Sequence, residues 1–143
     1  MKKFVQNKLK NQKGMTLIEL LAVIVIIAII AAIAIPAIGN IIENSRHNAV
    51  KADYQNALAA ANLFFTEKSG ETEFTEADIQ GYLDDKGSLL TFTVTKPATG
   101  ANTIYGTAKS PNETSYTIVE NESQTNAQLA ALNAKGFADL AED

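Results

Sequence analysis

The chain of 143 residues has no cysteine and no tryptophan, one histidine and three prolines. Without cysteine, neither a disulfide framework nor a thiolate metal site can form. His47 has no second imidazole to share a metal with, and no serine stands in a partnered arrangement for nucleophilic catalysis. Gly-rich phosphate loops and nucleophile elbows are also missing. Basic residues are scarce after Lys13: seven stand against sixteen acids, which puts the chain from Met15 onward at about −9. So acidic a body lacks the clustered Lys and Arg that phosphate binding needs, and no direct nucleic-acid binding is expected. No catalytic residue, cofactor or resident metal is expected either.

The chain does hold one long apolar run behind a basic leader. Lys2, Lys3, Lys8, Lys10 and Lys13 lie within the first 14 residues, with no acid among them. A basic tail ahead of an acidic body keeps the N-terminus cytoplasmic while the rest is translocated. From Leu20 to Ile38, 19 residues carry no charge. That is long enough to span a bilayer at about 20 residues per crossing. A secretory signal would be shorter and cleaved after its apolar region at a small-residue site. Here the small-residue junction, Gly14–Met15, lies before the apolar run, so cutting there removes the lysines and keeps the hydrophobic helix.

Residues 1–14 read as a leader with little structure of its own. Thr16, with Glu19 three positions on, fits a capping box at the start of the apolar helix. Pro36 removes a backbone donor and should kink or loosen the helix. Beyond Ile42 the pattern turns amphipathic: Val50, Tyr54, Ala57, Leu58, Ala61 and Phe65 form one helical stripe, and Ser69–Gly70 supplies a stop. A single helix from Thr16 to Lys68 would rise about 80 Å. Its first half suits a membrane, and its second half suits packing on a small domain.

Residues 71–88 read as an acidic connection. Thr75 with Asp78 would start a short helix through Leu83, and Asp85–Lys86–Gly87 a turn. Three strands are expected: one with Leu90, Phe92 and Val94 on one face, then 103–108, then 115–120. Lys96–Gly100 and Ser110–Asn112 are the turns between them. A meander of three strands is marginal alone, but the Val50–Phe65 stripe can cover one face. Residues 125–135 read as a short helix ending at Gly136, and the tail from Phe137 has no assignment. The fold class is therefore α+β, a long N-terminal helix packed on a small antiparallel sheet of about three strands.

The leader, Gly14, the stretch Met15-Thr16-Leu17-Ile18-Glu19-Leu20-Leu21, the apolar helix and Pro36 together resemble the type IV pilin and pseudopilin family. At sequence level the resemblance covers roughly residues 8–45. It implies three parts: a cleaved cytoplasmic leader at 1–14, a transmembrane and filament-core helix at 15–42, and an extracellular globular domain at 43–143. It implies that a prepilin peptidase cuts after Gly14 and N-methylates Met15. The subunit would then wait in the membrane, and a cytoplasmic ATPase and a membrane platform protein would lift it into a helical homopolymer that also carries minor pilins. Glu19 falls on the family's glutamate. Physically, the new α-amino group of Met15 is a cation in a low-dielectric setting, and the carboxylate of an adjoining subunit can neutralise it. Thr16 and Pro36 complete the candidate assembly residues. Met15 stands where many members have Phe, and the absent cysteines depart from the disulfide-stapled C-terminal regions of many Gram-negative pilins. Met15 shifts the subclass more than the family; the missing staple, with this leader and a small Thr-, Asn- and Ala-rich domain, leans toward a Gram-positive, major-type pilin.

Three uses follow from the resemblance: a surface pilus for adhesion or twitching motility, a competence pilus for DNA uptake, or a pseudopilus of a secretion system. A single-pass membrane-anchored binding module is the reading that needs no filament. Among the remaining residues, His47 shares a polar patch with Asn44, Arg46 and Asn48 and is expected to be solvated. The acids between Glu71 and Asp85 do not follow an EF-hand pattern and read as a solvated connection. Asn112-Glu113-Thr114 and Asn121-Glu122-Ser123 are sequons of the kind that bacteria mostly leave unmodified.

Overall fold

The computed structural model describes residues 2–141, with side chains from Thr16 onward. Helix α1 runs Lys2–Glu67, with Pro36 inside it. The leader is therefore helical, contrary to the expectation of little structure: Lys, Gln and Leu are good helix formers, and no proline interrupts them before Pro36. Thr16 accordingly lies inside the helix of the uncut chain and is not its N-cap. The chain divides into two compact units, residues 1–41 and residues 42–143.

In the second unit the C-terminal part of α1 is followed by strands β1 (Glu73–Thr75), β2 (Leu89–Thr95), β3 (Thr103–Lys109), β4 (Ser115–Ile118) and β5 (Gln124–Thr125), then helices α2 (Asn126–Ala131) and α3 (Ala134–Ala141). All pairings are antiparallel. The order is β1-β2-β3-β4, with β5 also on β3. β4 pairs with Gly106–Lys109 and β5 with Thr103 and Ile104, so the two lie end to end along one edge of β3. The three expected strands are present, and the sheet gains two short ones. Strands of two or three residues are too short to show the period-two alternation by which strands are read.

The helical stripe packs on this sheet as its pattern requires. Val50, Tyr54, Ala57, Leu58, Ala61 and Phe65 are all buried, and Ala60 and Phe64 widen the stripe. Facing them are Phe74, Leu89, Phe92, Val94, Ile104, Tyr116 and Ile118. Phe64 and Phe74 have ring centroids 5.1 Å apart, and Phe74 and Phe92 5.9 Å. Fully burying each such side chain contributes about 1.5–3 kcal/mol.

Three local expectations need correction. Leu90 was expected to share the inward face with Phe92 and Val94, but it is 50% exposed while Leu89 is buried. The cause is a register break between Leu89 and Thr91, which turns one residue outward. The helix expected from Thr75 through Leu83 is a single 3-10 turn, Glu76–Asp78, where Asp78 accepts from the Thr75 N–H at 3.1 Å. Gly136 does not end a helix. It lies near the start of α3, and its N–H donates to Asn133 Oδ1 at 2.7 Å. The unassigned tail is thus helical to Ala141, with Phe137 fully buried against Tyr54 and Tyr116.

Candidate functional site

The strongest functional pattern lies in the first unit. Between Leu17 and Ile42, sixteen large aliphatic side chains are exposed among the described residues, from Ile42 at 44% to Ile33 at 70%. No face of the segment is buried, and Ala31 and Ala34 are its only half-covered positions. Covering that surface would be worth on the order of 20 kcal/mol at usual transfer values. The helix is long and apolar enough to cross a membrane. Such a surface has to be covered by lipid or by other helices, because soluble proteins rarely expose apolar patches larger than a few hundred Å².

Glu19 is the one ionisable residue between Met15 and Ile42. It sits on the helix with its side chain exposed, and no cation pairs with it among the described residues. Thr16 lies one helical turn before it. Pro36 is also exposed, and the helix assignment runs through it without interruption. The expected junction Gly14–Met15 is helical in backbone and lies ahead of the described side chains. One helix thus carries the junction, the carboxylate and the apolar surface in that order.

Residues 9–35 match the family model for the prokaryotic N-terminal methylation motif. The chain carries the signature of the type IV pilin and pseudopilin prepilins. The motif of such a prepilin implies processing by a prepilin peptidase and polymerisation. The matched segment spans the end of the leader, Gly14, Met15, Glu19 and most of the exposed apolar run. Comparisons with curated proteins and with solved structures give no match.

The second unit holds a polar contact that the sequence pattern did not announce. His47, expected to be solvated, is only 6% exposed. Its Nδ1 lies 2.9 Å from the Tyr116 hydroxyl in a hydrogen bond, with the two rings edge to face. The signal was available, since His47 precedes Val50 by three residues and so extends the buried stripe by one turn. A second missed contact ties Tyr54 to the sheet: its hydroxyl donates to Gly106 O at 2.9 Å, and burial pushes the phenol well above its ordinary value of 10.0.

Three of the six acids between Glu71 and Asp85 hold the connection's own loops. Asp78 caps Thr75, Asp85 accepts from Gly87 N–H, and Glu76 pairs with Lys86. Tyr82 donates to Glu67 at 2.6 Å, which raises the phenol's pKa. Among the described residues no group of three or more acids and histidines converges as a metal site.

Proposed function

We propose that this chain is a structural, major-type subunit of a type IV pilus, cut after Gly14, N-methylated at Met15 and polymerised through its N-terminal helix into a surface filament for adhesion or twitching motility. The observation that carries the reading is the exposed apolar helix, most of which lies within the matched N-methylation motif. Lipid covers that surface before assembly, with the N-terminus cytoplasmic, and the helices of neighbouring copies cover it afterwards. Glu19 then has a defined task. Once the leader is removed, the Met15 amine of one subunit and the Glu19 carboxylate of another neutralise each other in the filament core. Stranding one partner of such a buried pair costs about 3–5 kcal/mol, enough to reject subunits docked out of register.

Mass spectrometry of the N-terminal peptide from filaments sheared off the native cell tests the proposal. A peptide beginning at N-methyl-Met15 in that fraction is the expected result, establishing processing and assembly together. Protein that stays in the membrane still bearing residues 1–14 would instead indicate a single-pass anchored module that never polymerises. DNA uptake and secretion are filament uses separated by neighbouring genes: a retraction ATPase accompanies motility, and DNA-import genes accompany competence.

A further inference from the structure

The sheet face opposite the core carries threonine in registered rows. Thr91, Thr107 and Thr117 oppose one another across β2, β3 and β4, and Thr95, Thr103 and Thr125 do so across β2, β3 and β5. Between them Thr75 and Thr93 lead to Tyr105. Directly opposed residues share a face, and the alternating partners Phe74, Val94, Ile104 and Tyr116 are buried, so the rows lie on the outer side. Row positions repeat at about 4.8 Å across strands and about 6.7 Å along them. The hydroxyls are already ordered in part, since Thr91 Oγ1 and Thr107 Oγ1 share a 2.8 Å hydrogen bond. At the centre is a shallow depression of about 280 Å³ bounded by Thr91, Thr93, Tyr105, Gly106, Thr107 and Thr117.

Charge decides what such a face can hold. No ionised side chain lines the depression itself; beyond Thr91 stands Glu76, already paired with Lys86, and Glu73 and Lys109 lie at opposite ends of the rows. An anionic ligand would find no counter-charge here and would meet the repulsion of an acidic body; a cationic one would find stronger sites among the exposed acids. What remains is a neutral partner that both donates and accepts hydrogen bonds, as threonine hydroxyls do. Tyr105, half-exposed beside them, offers a flat apolar ring for C–H surface. Sugars combine those two features, and rows that each run across three strands suit an extended chain of them better than one ring. We propose that this face binds a neutral polysaccharide, one sugar ring lying on Tyr105 with its hydroxyls bonded to Thr91, Thr93 and Thr107.

The test uses the full chain, dispersed as monomer in a detergent without a sugar headgroup, so it reads the face independently of filament formation. Microcrystalline cellulose serves as the insoluble neutral polymer, cellohexaose as its soluble form, and polygalacturonate as the charged counterpart. The expected result is depletion by cellulose, competed by cellohexaose, with none by polygalacturonate. Tyr105→Ala should weaken cellohexaose binding about tenfold, the loss of one stacked ring, while Tyr105→Trp retains it. Thr91→Val and Thr107→Val keep side-chain shape and remove the hydroxyls; each should weaken binding severalfold with an unchanged circular-dichroism spectrum. Absence of depletion by cellulose, preference for polygalacturonate, or wild-type binding by Tyr105→Ala would each overturn the proposal. So would sedimentation showing that the face pairs with a second copy and that Tyr105→Ala abolishes only that pairing.

Discussion

Asp53 on α1 and Ser88 at the entrance to β2 are joined by two hydrogen bonds to one carboxylate oxygen: Ser88 N–H donates at 2.8 Å and Ser88 Oγ at 2.6 Å. The residue between the loop and this clasp is Gly87, whose φ is +60°. A Cβ added there would stand 2.5 Å from the Asp53 carboxylate. Glycine is therefore needed twice over, for its left-handed backbone and for the carboxylate's approach.

This clasp should be measurable as stability. Asp53→Ala leaves the Ser88 N–H and hydroxyl without their acceptor in a half-buried setting and should cost about 1–3 kcal/mol. Gly87→Ala should cost at least as much, because strain and steric conflict act together. Urea unfolding of the detergent-solubilised chain, followed by tyrosine fluorescence, reads both. Wild-type midpoints for both variants would show that the clasp contributes nothing.

Gly106 makes a second, sharper prediction. Its φ is +149°, and a Cβ there would collide with Thr91 O and with the Cα of Phe92. The residue sits opposite Phe92, where β3 must approach the irregular start of β2 closely. Gly106→Ala should therefore separate β2 from β3 and destabilise the unit by about 2–4 kcal/mol. Amide exchange of β2 and β3 is the measurement; protection equal to wild type would mean that the strands shift cheaply.

Tyr54 predicts an alkaline limit. Its pKa is raised by burial above the ordinary 10.0, so the folded state holds the phenolic proton more tightly than the unfolded chain does. The contribution is complete below pH 10 and is lost as pH rises through the folded pKa. Stability should thus fall with pH above about 10. Tyr54→Phe should flatten that part of the decline, while costing about 1 kcal/mol at neutral pH for the lost bond to Gly106 O. An unchanged alkaline slope in Tyr54→Phe would assign the decline to other groups.

Much of this was legible because the strongest signals are periodic. The stripe from Val50 to Phe65 repeats over four helical turns, and the structure buries each of its six residues. Periodicity is silent where a single local event decides the outcome. One register break beside Leu90 reversed which leucine faces inward, and no periodicity announces such a break. The polar neighbours of His47 suggest solvation, although its spacing from Val50 places it on the buried face. Gly136 looked like a helix end because a C-terminal glycine is common; Asn133, able to cap the helix that follows, was the competing signal. For the N-terminal segment, the apolar run and the one carboxylate inside it stand out in the sequence, because charge in so apolar a stretch is hard to mistake.

The carboxylate of Glu19 yields the prediction that bears most directly on assembly. A filament core that closes by neutralising the Met15 amine needs a negative charge at this position, beyond a side chain of similar size. Glu19→Gln keeps the shape and removes the charge, and Glu19→Ala removes both. If stranding the amine costs about 3–5 kcal/mol per subunit, either variant should lower filament yield at least a hundredfold. Processing should persist, since the cut falls at Gly14–Met15, so mature-length protein should accumulate in the membrane fraction. Quantitative mass spectrometry of sheared and membrane fractions separates these outcomes. Filaments of normal yield from Glu19→Gln would leave the carboxylate a packing or capping role and remove charge as the register device. Accumulation of uncut precursor would move its role back to recognition by the peptidase.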